Sequence, residues 1–419
     1  MFNGIGSPNG PGLQPFGRWF RYPAGFSADA LDVCFEVARP RRGMLVVDPF
    51  VGVGTIGVHA ASLGLDCLGI EAHPLIAELA ALKFSRPPAP RRLVVRATEM
   101  TANLKAAPIA AEHALVVRSF EPEPLAKLVA LRQQIADTPD DPWHLHLKWC
   151  LLGALRDCAS VKVGWPYQRP SVKRTPRIAD PCRAFVRRAQ RMAEDLSTPF
   201  LSLAPVASIH HGDARKGATW QEALAGRIAD MVVTSPPYLN NFDYADATRL
   251  ELYFWGIARS WAEMIATVRS GMVVATTQQA KRAMAVNAEA SFAALCPVAS
   301  RTTRALTEEL GIERGRRPRG KEYDQVLPVY FLDLARVLVN VRAHTMPGAL
   351  IALVLGDSAP YGIYIDTPGI LACTAEDLGF ERVSTSSLRQ RGLRWHTNGT
   401  RHSVALTEQI VVLRSPGIL

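Results

Sequence analysis

Apolar residues in this chain come in short unbroken runs, separated by longer stretches with helical spacing. Met44–Val47, Met231–Val233 and Ala349–Leu355 are such runs, and they read as strands buried on both faces. Asp66-Cys67-Leu68-Gly69-Ile70, ending at Glu71, reads as a further strand, and Ser208–Asp213 as a short one ending in Gly-Asp. Arg382–Thr385 and Gln409–Leu413 read as a closing pair. Helical spacing predicts a helix capped by Ser27 or Asp29 and running through Val37, then Thr55–Leu63 with Gly64 as its stop, then Leu75–Phe84. Further helices are expected within Ala110–Ile135, in an aromatic-rich segment ending at Trp255, over Val326–Val341 and near Ile370–Leu378. Pro87, Pro88 and Pro90 end the regular strand–helix alternation, which does not resume before about Val206. Residues 257–325 also lack a clear pattern, and there is no internal repeat. About seven strands emerge, mostly parallel with an antiparallel terminal hairpin: an α/β fold.

Composition narrows this picture. The chain has 419 residues, 48% of them hydrophobic, more than one small domain needs. No apolar run approaches the roughly 18 residues of a membrane span. Met1–Gln14, rich in Gly, Pro and Asn, lacks the basic-then-apolar order of a signal peptide and reads as a loose tail. Seven scattered cysteines with no Cys-x-x-Cys pair argue against a structural zinc site or a disulfide framework and fit a reducing cytoplasm. His144, His146 and Trp149 near Cys150 and Cys158 have no recognised zinc spacing, so they read as packed helix residues and no metal is expected.

The formal net charge of +10 and sequence pI near 9.4 suggest a polyanionic partner, without separating DNA from RNA. The excess is clustered. From Arg156 to Arg191 there are ten Lys and Arg and only two acids, Asp157 and Asp180; a second basic run spans Arg314–Lys321, and a third, Arg382–Arg401, holds five arginines and no acid.

Two stretches carry chemistry. The first is Asp48-Pro49-Phe50-Val51-Gly52-Val53-Gly54-Thr55, between strand and helix, with Glu71 closing the next strand. Its glycines let backbone approach a ligand closely, the helix start offers unpaired N–H groups, and an acid after the second strand can accept from both ribose hydroxyls. Gly52, Gly54 and Gly57 also satisfy G-x-G-x-x-G, so a dinucleotide-binding dehydrogenase has to be weighed; Glu71 by itself has the plain alternative of a solvated strand-end acid. The second stretch is Thr234-Ser235-Pro236-Pro237-Tyr238. Two prolines break the chain at the strand's carboxyl edge, where open α/β sheets place ligands. A hydroxyl, rigid carbonyls and a ring there suit a flat, amine-bearing group.

Ser-Pro-Pro-Tyr resembles the catalytic motif of the S-adenosylmethionine-dependent DNA amino-methyltransferases, which methylate the exocyclic nitrogen of cytosine or adenine. Asp-Pro-Phe-x-Gly-x-Gly-Thr resembles their cofactor loop. The resemblance implies a Rossmann-like, seven-stranded methyltransferase sheet with helical insertions. It implies S-adenosyl-L-methionine as cofactor, held by Asp48, Phe50, Gly52, Gly54 and Thr55, with Glu71 at the ribose and Asp213 at the adenine. The Arg21–Phe26 loop is similar to the family's segment ahead of the cofactor loop, which would bring Tyr22 and Phe26 near the cofactor; packing of the following helix is the alternative for both. Ser235, Pro236, Pro237 and Tyr238 would be catalytic. Ser235 Oγ and the Pro236 carbonyl would accept the two amine hydrogens, and Tyr238 would stack on a base flipped from the duplex. Serine rather than aspartate at 235 resembles the cytosine-N4 enzymes more than the adenine-N6 enzymes.

The resemblance covers about half of the chain. It divides it into 1–85 (N-terminal segment and cofactor half), 86–205 (mostly helical insertion, candidate DNA-recognition region), 206–256 (catalytic half), 257–325 (basic insertion with a loop ordering on nucleic acid) and 326–419 (the rest of the sheet). The long insertion falls before Gly212-Asp213 rather than after it, a departure from the family's order. Within it, Trp165, Tyr167, Arg169, Lys173, Arg174 and Arg177, followed by Arg183, Arg187 and Arg191 four apart on one helix face, suit phosphate contacts and base stacking. Arg316 and Arg317 belong to the second basic run, and Asn240 and Asn241 suit a turn or a base edge. The expected partner is DNA, with a restriction or defence system as companion. An RNA amino-methyltransferase and a catalytically silent nucleic-acid-binding subunit are the rivals.

Overall fold

The computed structural model describes residues 15–22, 28–163, 179–198, 207–239, 243–275, 282–391 and 405–417. Seven strands form one sheet: β1 (Leu45–Asp48), β2 (Asp66–Glu71), β3 (Ala207–His211), β4 (Ala229–Thr234), β5 (Thr345–Gly356), β6 (Glu381–Arg391) and β7 (Leu406–Arg414). Their order is β3-β2-β1-β4-β5-β7-β6. The first five are parallel and β7 and β6 run antiparallel, which is the expected sheet with its terminal hairpin. From β1 the chain winds outward to β2 and β3, then returns to β4 on the other side. The switch therefore lies between β1 and β4, where the connections diverge and leave a crevice at the carboxyl edge.

The apolar runs are strands because both faces of the sheet are covered. Leu45, Val47, Val232, Ile351, Leu353 and Leu355 face one core and Val46, Met231, Val233, Ala352 and Val354 the other. The helices, in chain order, are α1 (Ala28–Ala38), α2 (Thr55–Ser62), α3 (Pro74–Leu82), α4 (Arg91–Ala102), α5 (Ala114–Val117), α6 (Pro122–Ala136), α7 (His144–Cys158), α8 (Pro181–Leu196), α9 (Gly217–Leu224), α10 (Arg249–Trp255), α11 (Trp261–Thr267), α12 (Arg282–Leu295), α13 (Pro297–Gly315), α14 (Tyr323–Ala343) and α15 (Thr367–Asp377). α1 and α2 cover one face, and α12 to α15 build the core on the other. Helices α4 to α8 share a third core with Leu75, Ile76, Leu79 and Leu82 of α3, so the inserted region is fused to the sheet's own helical layer.

Residues 257–325, which carry no clear sequence pattern, hold two long helices, α12 and α13, and Arg316 to Glu322 link α13 to α14 as a loop overlapping the second basic run. Their buried faces rest on Ala285, Ala288, Phe292, Ala299 and Leu310, and alanines at core positions leave a weak apolar period. Strand β6 is longer than its expected four residues. Of its side chains only Leu388 is buried, so its order comes from pairing with β7 and leaves no hydrophobic run to read. No helix among the described residues is long and apolar enough to cross a membrane. His146 Nε2 lies 3.0 Å from Ser85 Oγ and Cys150 and Cys158 are fully buried in α7. Among the described residues no cluster of metal-ligating side chains occurs.

Candidate functional site

The two chemistry-bearing stretches leave neighbouring strands. β1 pairs with β4 through Val46↔Met231 and Val47↔Val232, so the glycine-rich loop and the Ser-Pro-Pro-Tyr turn emerge side by side. They are tied directly. Asp48 Oδ1 accepts from the Thr234 hydroxyl at 2.5 Å and from the Phe50 N–H at 3.0 Å. Asp48 is 1% exposed, and burial pushes its carboxyl up from 3.8 to about 7. Gly52 and Gly54 take φ of +51° and +81°, the left-handed region that a Cβ disfavours. Gly69 of β2 has no room for a side chain: a Cβ there would lie 2.6 Å from Val51 Cγ2 and 2.8 Å from Ile209 Cδ1. The loop can therefore lie flat against β2.

Glu71 closes the loop from below. Its Oε2 accepts from the Gly52 N–H at 2.9 Å and its Oε1 from the His73 N–H at 2.8 Å, while burial raises it to about 7. Each oxygen keeps a further lone pair. The Lys83 ammonium, 2% exposed, donates to the Val53 carbonyl, and burial lowers it to about 7. Tyr22 reaches the same corner. Its ring centroid is 6.3 Å from that of Tyr244, and burial, then the charge of Glu71, raises its hydroxyl. The segment before it is clamped to α8, because buried Asp195 accepts from the Phe16 N–H and the Trp19 indole, both at 2.8 Å, and pairs with Arg18 at 2.6 Å. Phe26 lies outside the described residues.

Asp213, expected at the adenine, follows β3, the strand beside β2, and it is engaged. Arg215 takes both of its oxygens at 2.9 Å and extends to Asp333 at 2.8 Å and to the Ser270 carbonyl at 3.0 Å. Its free acceptor capacity is smaller than the sequence suggests.

On the Ser-Pro-Pro-Tyr side the turn is held by tyrosines. Tyr330 of α14 donates to the Pro237 carbonyl at 2.9 Å, and burial raises the Tyr244 hydroxyl against the opposing effect of the Tyr238 backbone. Among the described residues none donates to the Pro236 carbonyl. The Tyr238 hydroxyl donates to Glu408 Oε1 at 2.7 Å. Arg389, paired with Glu408 across β6 and β7, donates to both carboxylate oxygens at 2.7 and 3.1 Å. The Arg391 guanidinium lies over the Tyr238 ring, 4.9 Å from its centroid, and donates to the Asp357 carbonyl at 3.1 Å. Sequence reasoning missed Glu408, Arg389, Arg391, Tyr244 and Tyr330. Glu408 did leave a signal, a lone acid entering the apolar strand Ile410–Leu413.

Of the residues expected at nucleic acid, Arg183 and Arg187 are exposed and Arg191 half-buried along α8. Arg187 has a long pairing with Asp157 at 3.9 Å, whereas Arg188 is structural, held by Asp157 at 2.9 Å. Arg316 and Arg317 are exposed and paired with Glu313. Arg317 lies over Tyr361, 4.4 Å from its centroid, beside the loop that follows β5 on the carboxyl edge. Trp165, Tyr167, Arg169, Lys173, Arg174, Arg177, Asn240 and Asn241 lie outside the described residues.

No family model matches the chain. Type II methyltransferase M.BsoBI of Geobacillus stearothermophilus is 22% identical over 453 aligned residues, covering 96% of this chain and 86% of that protein. Type II methyltransferase M.AvaI of Nostoc sp. is 22% identical over 461, covering 96% and 87%. Among solved structures, the rRNA methyltransferase aviRa of Streptomyces viridochromogenes aligns with 94% of this chain and 87% of its own at 13% identity and a TM-score of 0.34. The chain is thus similar nearly end to end to two Type II methyltransferases, and its seven-stranded sheet brings the two motif-bearing loops out side by side at its switch point.

Proposed function

We propose that the protein is an S-adenosylmethionine-dependent DNA methyltransferase acting on an exocyclic base amine, the N4 nitrogen of cytosine. The observation that carries this reading is the Asp48–Thr234 hydrogen bond, which joins a glycine-rich loop suited to the methyl donor to a turn suited to the acceptor amine. The likeness to M.BsoBI and M.AvaI supports DNA as the substrate, and serine at position 235 favours cytosine.

The residues present fit the cofactor. Gly52 and Gly54 leave backbone without side chains on the loop, and buried Glu71 keeps lone pairs for two ribose hydroxyls. Asp48 and Phe50 bound the methionine side, with Tyr22 closing the corner. S-adenosylmethionine, when bound, supplies the methyl group. The amine is a poor nucleophile because its lone pair is delocalised into the ring. Ser235 Oγ and the Pro236 carbonyl accept its two hydrogens and turn the lone pair out of the ring plane; fixed acceptors of this kind do most of their work by preorganisation. Once alkylated, the nitrogen is acidic enough to lose its proton without a strong base. Tyr238 offers the extruded base a ring, and the exposed arginines of α8 and of the loop after α13 contact phosphates.

Incubation with methyl-labelled cofactor and DNA or RNA, followed by nucleoside analysis, tests the reading. N4-methylcytosine in DNA is expected. N6-methyladenine in DNA would reassign the base, and label in RNA alone would reject the substrate.

A further inference from the structure

The β6–β7 hairpin enters the site from the far side of the sheet and contributes a group with no place in the mechanism above. Glu408 is 6% exposed, yet it does not merely bridge its own strands. Arg389 satisfies it on one side with two hydrogen bonds, and on the other it accepts a hydrogen bond from the Tyr238 hydroxyl at 2.7 Å. A phenol has one proton; with it committed to Glu408, the far end of the Tyr238 ring is anchored, and the Arg391 guanidinium lies over that ring, 4.9 Å from its centroid.

We propose that Glu408, held by Arg389, is a positioning residue for methyl transfer. It anchors the Tyr238 hydroxyl and so sets the angle at which the Tyr238 ring meets the base. This rests on the function proposed above and adds to it a residue 170 positions from the tyrosine it aligns. Both links to the carboxylate are charge-assisted, so Glu408 orients the ring without contact with substrate.

The test compares wild type, Glu408→Gln, Tyr238→Phe and the double variant in single-turnover methylation of DNA. S-adenosylmethionine affinity by calorimetry and the melting temperature are read in parallel. Tyr238→Phe keeps the ring and cuts the link, so it is expected to slow the chemical step roughly tenfold or more, about 1.4 kcal/mol in the barrier. Glu408→Gln should slow it comparably, because the amide can donate as well as accept. Both should leave cofactor affinity within about twofold. In the Tyr238→Phe background, Glu408→Gln should cost nothing further, since its hold on the ring is already cut. A wild-type rate in Tyr238→Phe, or the same penalty for Glu408→Gln in both backgrounds, overturns the proposal. If Glu408→Gln does not fold, Tyr238→Phe decides alone. Failure of wild type to methylate DNA removes the proposed function itself, an outcome distinct from an active wild type whose variants are unaffected.

Discussion

At the scale of single residues, the site consists of buried polar groups whose partners are fixed in advance. Asp48 has a carboxyl raised from 3.8 to about 7, by burial first and by the charge of Glu71 as well, while Thr234 and the Phe50 N–H act in the opposite direction. An acid that holds its proton more tightly folded than unfolded contributes stability at low pH and loses it as pH rises through the folded value. Asp48→Asn removes that loss. The melting temperature of Asp48→Asn relative to wild type is therefore expected to increase from pH 4 to about 7 and level off above, in paired thermal melts; a constant difference would show that Asp48 does not titrate in this window. Ser235→Ala should lower turnover far more than it lowers cofactor affinity, in steady-state kinetics with parallel binding, because the hydroxyl faces the acceptor side. Equal losses would mean that the residue has a different role. Asp48, Glu71, Ser235 and Tyr238 could all be picked out beforehand, since their neighbours in sequence define a motif. Glu408 and Arg389 could not: they become significant only because β7 lies next to β5, bringing position 408 to position 238.

At the scale of elements, the glycine-rich loop depends on what the adjacent strand omits. Gly69→Ala would drive a methyl into Val51 and Ile209, and overpacking of that kind costs about 1–3 kcal/mol. Chemical denaturation should show that loss together with weakened cofactor binding, since Val51 sits within the loop; a loss of stability with unchanged affinity would separate the two. A second element-level dependence joins α8 to the N-terminal segment. Asp195→Ala strips an acceptor from Phe16 and Trp19 and a partner from Arg18, a change worth roughly 3 kcal/mol. Faster proteolytic cleavage ahead of Tyr22 should accompany the lowered melting temperature. The apolar runs identified β1 to within a residue and the centres of β4 and β5, because a strand covered on both faces has no choice but to be apolar; β5 starts four residues earlier than expected, running through Pro347-Gly348. β6, α12 and α13 were harder to read, since a bare edge strand and alanine-faced helices bury little that marks them.

At the scale of the whole molecule, the net charge of +10 includes cations bound within the fold and cations exposed on its surface. Arg188 is bound by Asp157 within the fold, whereas Arg183 and Arg187 stand exposed on α8. Alanine at either exposed position should weaken DNA binding uniformly across sequences and reduce the slope of log affinity against log salt by about 0.9 for each phosphate no longer neutralised. Arg188→Ala should lower the melting temperature instead. Binding isotherms at several salt concentrations distinguish these outcomes, and an unchanged slope for Arg183→Ala and Arg187→Ala would place the phosphate contacts elsewhere. The core shared by α3 and α4–α8 means that the inserted helices and the sheet stabilise one another.

The sequence by itself determined the α/β class, the number of strands, the glycine-rich loop and the Ser-Pro-Pro-Tyr turn, because each is a local requirement: burial on two faces, backbone freedom, a proline break. Tertiary structure decided which of these meet. Strand order put β1 beside β4 and so joined Asp48 to Thr234, and it brought Glu408 to Tyr238. Pairings between residues more than a hundred positions apart depend on how the chain crosses its own sheet, and no local pattern encodes that crossing.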